Sequence, residues 1–214
     1  MRDFSRLYLT VAKRTAFLAL MLIAGLAAFP QPSLAASPAE QFISADVQRG
    51  LTILEDKSLS KDEKRAKFQD FLLSLTNIRA IADYTLGQYR RSASPAELSA
   101  FEDAFKGYAL SVYQTYFDKF TGQTLKVTGS YSMAPGEDVV KTVMIDPAKK
   151  GSGQPLEVDF RVKDKGGHMA VIDFSVAGVW LRETERSDFT SFLGQNNGNV
   201  AALTEKLKQK AEQE

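Results

Sequence analysis

At Thr124 the apolar residues stop recurring every three to four positions and begin to alternate, and after residue 181 the longer spacing returns. The longer spacing lines one face of a helix and strict alternation lines one face of a strand. The chain must therefore build helices, then sheet, then helices again. Before the switch, Leu98, Phe101, Phe105, Tyr108, Val112, Tyr116 and Phe120 form an unusually aromatic stripe along a helix that starts at Pro95. After it, Leu125, Val127, Tyr131 and Met133 read as one face of a first strand interrupted by Gly129, and residues 139–145 read as a second. Leu156, Val158, Phe160 and Val162 alternate with Glu157, Asp159, Arg161 and Lys163, the pattern of a half-buried strand. Asp164-Lys165-Gly166-Gly167 turns the chain back into a strand over 168–176, and tight turns between successive strands imply antiparallel pairing.

Helix starts are marked by Ser-Pro-Ala-Glu at 37–40 and again at 94–97. In each, serine can cap the helix, proline suits the first helical position, and the glutamate three residues on can reach back to the free amide. Ser60-Lys61-Asp62-Glu63 repeats the spacing without proline. A helix over 38–55 would then carry Ile43, Val47, Leu51 and Leu54 on one face. One over 61–75 would carry Phe68, Phe71, Leu72 and Leu75, and a short one over 77–86 would end at Gly87. Two closing helices, over 185–193 and from 199 onward, are separated by the turn-forming run 194–198, and residues 146–154 read as an exposed loop. The fold expected is α+β, with helices packed on one face of a curved antiparallel sheet of about four strands and an internal apolar cavity between them.

The first 35 residues have the three parts of a secretory signal: Arg2, Arg6, Lys13 and Arg14, an apolar core over 16–29, and small residues ending in Ala35-Ala36. The core falls short of the roughly 20 residues of a spanning helix, which favours a cleaved signal over 1–35 rather than an uncleaved anchor. Residues 36–214 then form one domain. Of the 27 basic and 26 acidic residues, four basic and one acidic lie in the signal, so the mature chain is mildly acidic, about −2. It lacks the basic excess by which a protein holds nucleic acid. With no cysteine, neither disulfides nor thiolate metal sites are available, and one apolar core must supply the stability.

Catalytic signatures are missing. The single histidine, His168, lies beside a hairpin turn with no sequence-adjacent partner, and the chain has no GxSxG, no HExxH and no phosphate-cradling glycine loop. No cofactor is implied. Strict alternation would put Asp173 on the face of Met169 and Val171, where it is either a solvent-side or strand-end charge or, if buried, a carboxylate that needs a partner: a backbone amide or an arginine that fixes the following turn, or a reacting group. Arg90, just past Gly87, could pair with Asp83 or Asp173, or contact a phosphate, since an arginine fork serves both.

The run from Val171-Ile172-Asp173-Phe174 to Gly178-Val179-Trp180-Leu181, with Leu86-Gly87-Gln88-Tyr89-Arg90 and the helix carrying Tyr113, Tyr116 and Phe117, resembles the MlaC-like (toluene-tolerance) family of periplasmic phospholipid carriers. The resemblance covers essentially the whole mature chain. It implies a cystatin-like or nuclear-transport-factor-like fold that binds phospholipid acyl chains inside. It also implies a periplasmic shuttle between an outer-membrane lipoprotein complex and an inner-membrane MCE-domain ABC transporter that maintains outer-membrane lipid asymmetry. A hopanoid-associated branch of the family is an alternative, because Met169 and Ala177 stand where the family usually has tryptophan and glutamate. The pocket wall is expected to include Leu72, Leu75, Ile81, Phe105, Tyr108, Val112, Tyr116, Val143, Phe160 and Val171, although the same positions would make an ordinary core. Two further readings stay open. One is an exported enzyme on the same scaffold with Asp173 as its acid or base, and the other is a structural adaptor with a filled interior.

Overall fold

In the computed structural model, which describes residues 35–148 and 154–213, the three serine-led helix starts are capped in two different ways. All but the last residue of the expected signal peptide, and the middle of the expected loop over 146–154, lie outside the described residues. Ser60 and Ser94 accept the amides of Glu63 and Glu97, and each glutamate returns a carboxylate to the serine amide at 2.9 Å. These complete two reciprocal boxes, at the starts of α2 (Lys61–Ser74) and α4 (Pro95–Asp118). Ser37 caps α1 (Pro38–Glu55) in the same way, but Glu40 turns outward and accepts the hydroxyl of Ser130 at 2.7 Å. A strand residue replaces the local partner, so this cap also pins the helix to the sheet.

The remaining elements are α3 (Ile78–Thr85), a 3-10 turn (Gly87–Arg91), β1 (Thr124–Ala134), β2 (Glu137–Ile145), β3 (Val158–Lys165), β4 (His168–Val176), β5 (Val179–Trp180), α5 (Leu181–Gln195) and α6 (Val200–Gln213). The five strands pair in chain order, all antiparallel, so the protein is α+β with an open meander sheet. A fifth strand joins the expected four. It has two residues, too few to show a period, and is folded onto β4 by a turn in which Ala177 and Gly178 both take positive φ.

Two bulges correct the strand faces expected from alternation. Arg161 pairs with Asp173 but Val162 pairs with Val171, so Ile172 is an extra residue and Asp173 faces the opposite side from Val171 and Met169. In β1 the register slips between Val127 and Gly129, which sends Tyr131 to the face opposite Leu125 and Val127, where it stands exposed. The amide of Val171, beside the first bulge, donates to the carbonyl of Leu75 at 2.8 Å and ties β4 to the end of α2.

The apolar residues separate into two cores. One is helical: Ala82 and Leu86, Phe101 and Phe105 of α4, Phe189 and Leu193 of α5, and Leu203 and Leu207 of α6. The other joins Ala39 and Ile43 of α1 to Val140 and Val162 of the sheet. At Gly87, which ends α3 with φ +56, an added Cβ would lie 2.8 Å from the Thr190 methyl of α5, so glycine meets both the left-handed backbone and the close approach.

Candidate functional site

Between the two cores runs a seam of aromatic rings. Phe160 and Phe174 face each other across β3 and β4 and stack with centroids 6.5 Å apart, and Tyr113 of α4 stacks on Phe174 at 6.2 Å. Phe117 follows Tyr113 by one helical turn, on the same side of α4, and lies 6.3 Å from Phe68 of α2, which in turn lies 5.8 Å from Phe71. Phe71 is buried against Gly50 of α1, whose missing side chain leaves the ring room, but the other five rings are only half-buried. The helical core shows what closure looks like: Phe101, Phe105 and Phe189 are 0%, 5% and 4% exposed, and the first two rings meet Phe189 edge-to-face. Covering a fully exposed aromatic side chain is worth about 1.5–3 kcal/mol, so a row of half-covered rings keeps part of that free energy unspent. The seam can accept an elongated apolar guest without directional chemistry.

The residues expected in a pocket wall fall in several places. Phe160 and Val171 pack beside the sheet core at one end of the seam, and Leu72, Leu75 and Val112 are half-buried. Phe105 belongs to the closed helical core, with Ile81 and Tyr108 packed against it. The Tyr108 hydroxyl donates to Glu185 at 3.0 Å, at a cleft of about 350 Å³ between α5 and α6. Val143 pairs with Lys126, and the register puts it on the sheet face opposite Phe160. The side chain of Tyr116 lies outside the described residues.

Asp173 and Arg90, considered together from the sequence, are separate in the fold. Arg90 binds Asp83 at 2.8 Å, seven residues earlier. The buried Asp173 accepts the amides of Phe174 and Arg182 through Oδ1, both at 2.9 Å, while Arg161 and Arg182 lie at 4.0 and 3.9 Å from Oδ2. Arg182 is the second residue of α5, so Asp173 caps that helix from a neighbouring strand and lets it begin at Leu181, four residues before its expected start. Burial pushes the Asp173 carboxyl above the usual range, outweighing the two amides and two guanidinium groups that pull it down. Around it, Arg161 lies under the Trp180 ring at 4.7 Å, and Arg182 lies over Tyr84 at 4.0 Å. The Tyr84 hydroxyl donates to Glu183 at 2.8 Å, and Arg186 donates to the Tyr84 carbonyl at 2.7 Å. Burial raises the Glu183 carboxyl, but Tyr84 and the two arginines more than offset it and leave it below its ordinary value. This network joins α3, the sheet edge and α5, and the seam rings adjacent to it in the chain are Phe160, beside Arg161, and Phe174, beside Asp173. Its arrangement is that of a structural cap.

Sequence reading passed over Arg65, whose guanidinium lies over the Phe117 ring at 5.8 Å, and Asp46, a buried carboxylate on α1 bonded to Arg49 at 2.7 Å. Asp46 stands three residues after Ile43 and four before Gly50 on the inward face, a spacing that could have flagged it. Tyr113 and Phe117 form a second aromatic stripe beside the expected one on α4, which a single-stripe reading of the helix overlooks. Among the described residues no group of His, Asp or Glu is placed to hold a metal ion, and no helix is long and apolar enough to cross a membrane.

Two comparisons bear on this geometry. The profile of a family described as "MlaC protein" matches residues 45–209. A solved structure of a phospholipid-binding protein from Ralstonia solanacearum, in complex with a phospholipid, superposes with a TM-score of 0.70 at 21% identity, covering 83% of this chain and 98% of the other.

Proposed function

The chain belongs to the MlaC family, and from that premise we propose that it is a lipid carrier whose aromatic seam holds phospholipid acyl chains. The observation that carries this reading is the row of half-buried rings from Phe160 through Phe174, Tyr113 and Phe117 to Phe68, set between two cores of which the helical one is closed. The phospholipid held by the similar Ralstonia protein supports the choice of ligand. Moving a methylene out of water is worth about 0.8 kcal/mol, so one long acyl chain amounts to roughly 10 kcal/mol. Dispersion and burial supply that affinity without a polar motif, which accounts for the lack of catalytic signatures in the chain.

Such affinity would trap the lipid unless a partner opened the seam or offered a better apolar environment. In this reading the protein is exported by cleavage after residue 35 and works as a single domain over 36–214 in the periplasm. There it passes lipid between an outer-membrane lipoprotein complex and an inner-membrane MCE-domain ABC transporter, and so helps maintain outer-membrane lipid asymmetry. Mass spectrometry of organic extracts from protein purified without detergent tests the proposal. Stoichiometric phospholipid is expected, a hopanoid would reassign the ligand, and no lipid would refute the carrier reading. Phe174→Asp, placing a charge in the middle of the seam, should abolish retention in a folded protein.

A further inference from the structure

We propose that Arg65, assisted by Lys61, binds the phosphate of the lipid headgroup at the end of the seam, an inference that rests on the carrier reading above. Along α2, Lys61, Arg65 and Phe68 follow at four- and three-residue spacing, so one side of the helix passes from two cations to the first seam ring within about 10 Å. The Arg65 guanidinium lies over Phe117, where seam and cation meet. A lipid laid along this side would find apolar rings for its chains and positive charge for its head, in the order in which a phospholipid carries them.

Arg65 is held loosely for so sheltered a cation. Its side chain is 26% exposed, its Nε is buried with no hydrogen-bond partner, and its contacts with Asp62 and Asp118 are both 3.4 Å. Lys61, by contrast, meets Asp118 at 2.8 Å, and Asp118 is itself 41% exposed at the end of α4. A guanidinium presents its two Nη groups along its outer edge, which matches two oxygens of a phosphate. Here Nε is buried, but both Nη contacts are long and go to exposed carboxylates, so a phosphate can take the Nη edge while Asp62 swings to solvent and Asp118 stays with Lys61. The same chemistry would accept free inorganic phosphate, and the test separates the two.

Wild type, Arg65→Gln and Arg65→Lys would be loaded from vesicles containing either phosphatidylglycerol or diacylglycerol with identical acyl chains, and retained lipid measured after gel filtration. Wild type should favour the phospholipid, and Arg65→Gln should lower phosphatidylglycerol retention about tenfold while leaving diacylglycerol retention unchanged. Arg65→Lys, which keeps the charge but not the fork, should lose several-fold, and it decides the matter if the glutamine variant melts early. Asp118→Asn, by removing the competing carboxylate, should raise phosphatidylglycerol retention. Unchanged lipid preference in both Arg65 variants overturns the assignment. Loss of a phosphorus-NMR titration by inorganic phosphate in those variants, with lipid preference intact, also overturns it and assigns the site to the free anion. If wild type retains neither lipid, it is the carrier reading that fails.

Discussion

Replacing Asp173 with alanine removes one carboxylate and strands donors from two elements at once. The amides of Phe174 and Arg182, each 2.9 Å from Oδ1, lose their acceptor in a buried place, at about 1–3 kcal/mol each. Arg161 and Arg182 lose a nearby negative charge but keep Glu183, at 3.3 and 3.4 Å, so they add less than a fully orphaned pair would. The expected cost is about 3–5 kcal/mol. Asp173→Asn preserves an oxygen for both amides and gives up a charge that burial already disfavours, so it should cost about 1–2 kcal/mol. Urea unfolding followed by far-ultraviolet circular dichroism measures both. In a domain of this size the alanine variant should melt roughly 10 °C lower. Phospholipid retained by the purified protein should persist in the asparagine variant, because the carboxylate lies on the sheet face opposite Phe160 and Val171. Equal loss in the two variants, or less than about 1 kcal/mol in the alanine variant, would refute the capping role. Loss of bound lipid in a stably folded asparagine variant would give Asp173 a part in ligand binding that capping does not explain.

Two further outcomes follow from the contrast between core and seam and from the buried acids. Phe101→Ala, in the closed core, should cost about 3–5 kcal/mol in urea unfolding, whereas Phe174→Ala should cost less stability and show its main effect as lost phospholipid. Equal destabilisation with lipid kept would mean the seam is ordinary core. Burial raises the Glu185 carboxyl above its ordinary value of 4.5, more than the Tyr108 hydroxyl and Lys210 lower it. The folded chain therefore binds that proton more tightly than the unfolded chain, and the penalty for ionising Glu185 stands in full above its folded pKa and disappears as pH falls through it. Glu185→Gln keeps an acceptor for Tyr108, so its melting temperature should match or exceed that of wild type at about pH 8, with the gain vanishing near about pH 4. A gain that grew on acidification would show the sign to be wrong.

Much of the architecture is readable in the chain because the interactions that set it are short in range. The Ser60 and Ser94 caps close within three residues, Gly87 ends α3 in the left-handed conformation its position demands, and the period switch near Thr124 marks the start of the sheet. The Arg90 pair with Asp83 belongs to the same class, spanning two turns of local structure. The errors arose where a partner elsewhere in the fold decides the outcome. Glu40 prefers Ser130, ninety residues away, to its own cap, and Asp173 starts α5 at Leu181, four residues early.

Strand faces failed for a related reason. A period of two has no tolerance for one inserted residue, so the bulge at Ile172 moved Asp173 to the other face, and the slip between Val127 and Gly129 did the same to Tyr131. Nothing in the chain itself marks Ile172 as unpaired, since pairing is a property of two strands. Family membership was legible in residues 171–181 and in Leu86 to Arg90, as patterns of residue type. The seam was not, because whether Phe160, Phe174, Tyr113, Phe117 and Phe68 close into a core or remain half-covered depends on how far apart two layers come to rest. Sequence alone determined the order of helices and strands, through hydrogen bonds and apolar spacing that act over a few residues. Tertiary structure decided which apolar rings stay open to a guest, because burial is settled by what arrives from the other side.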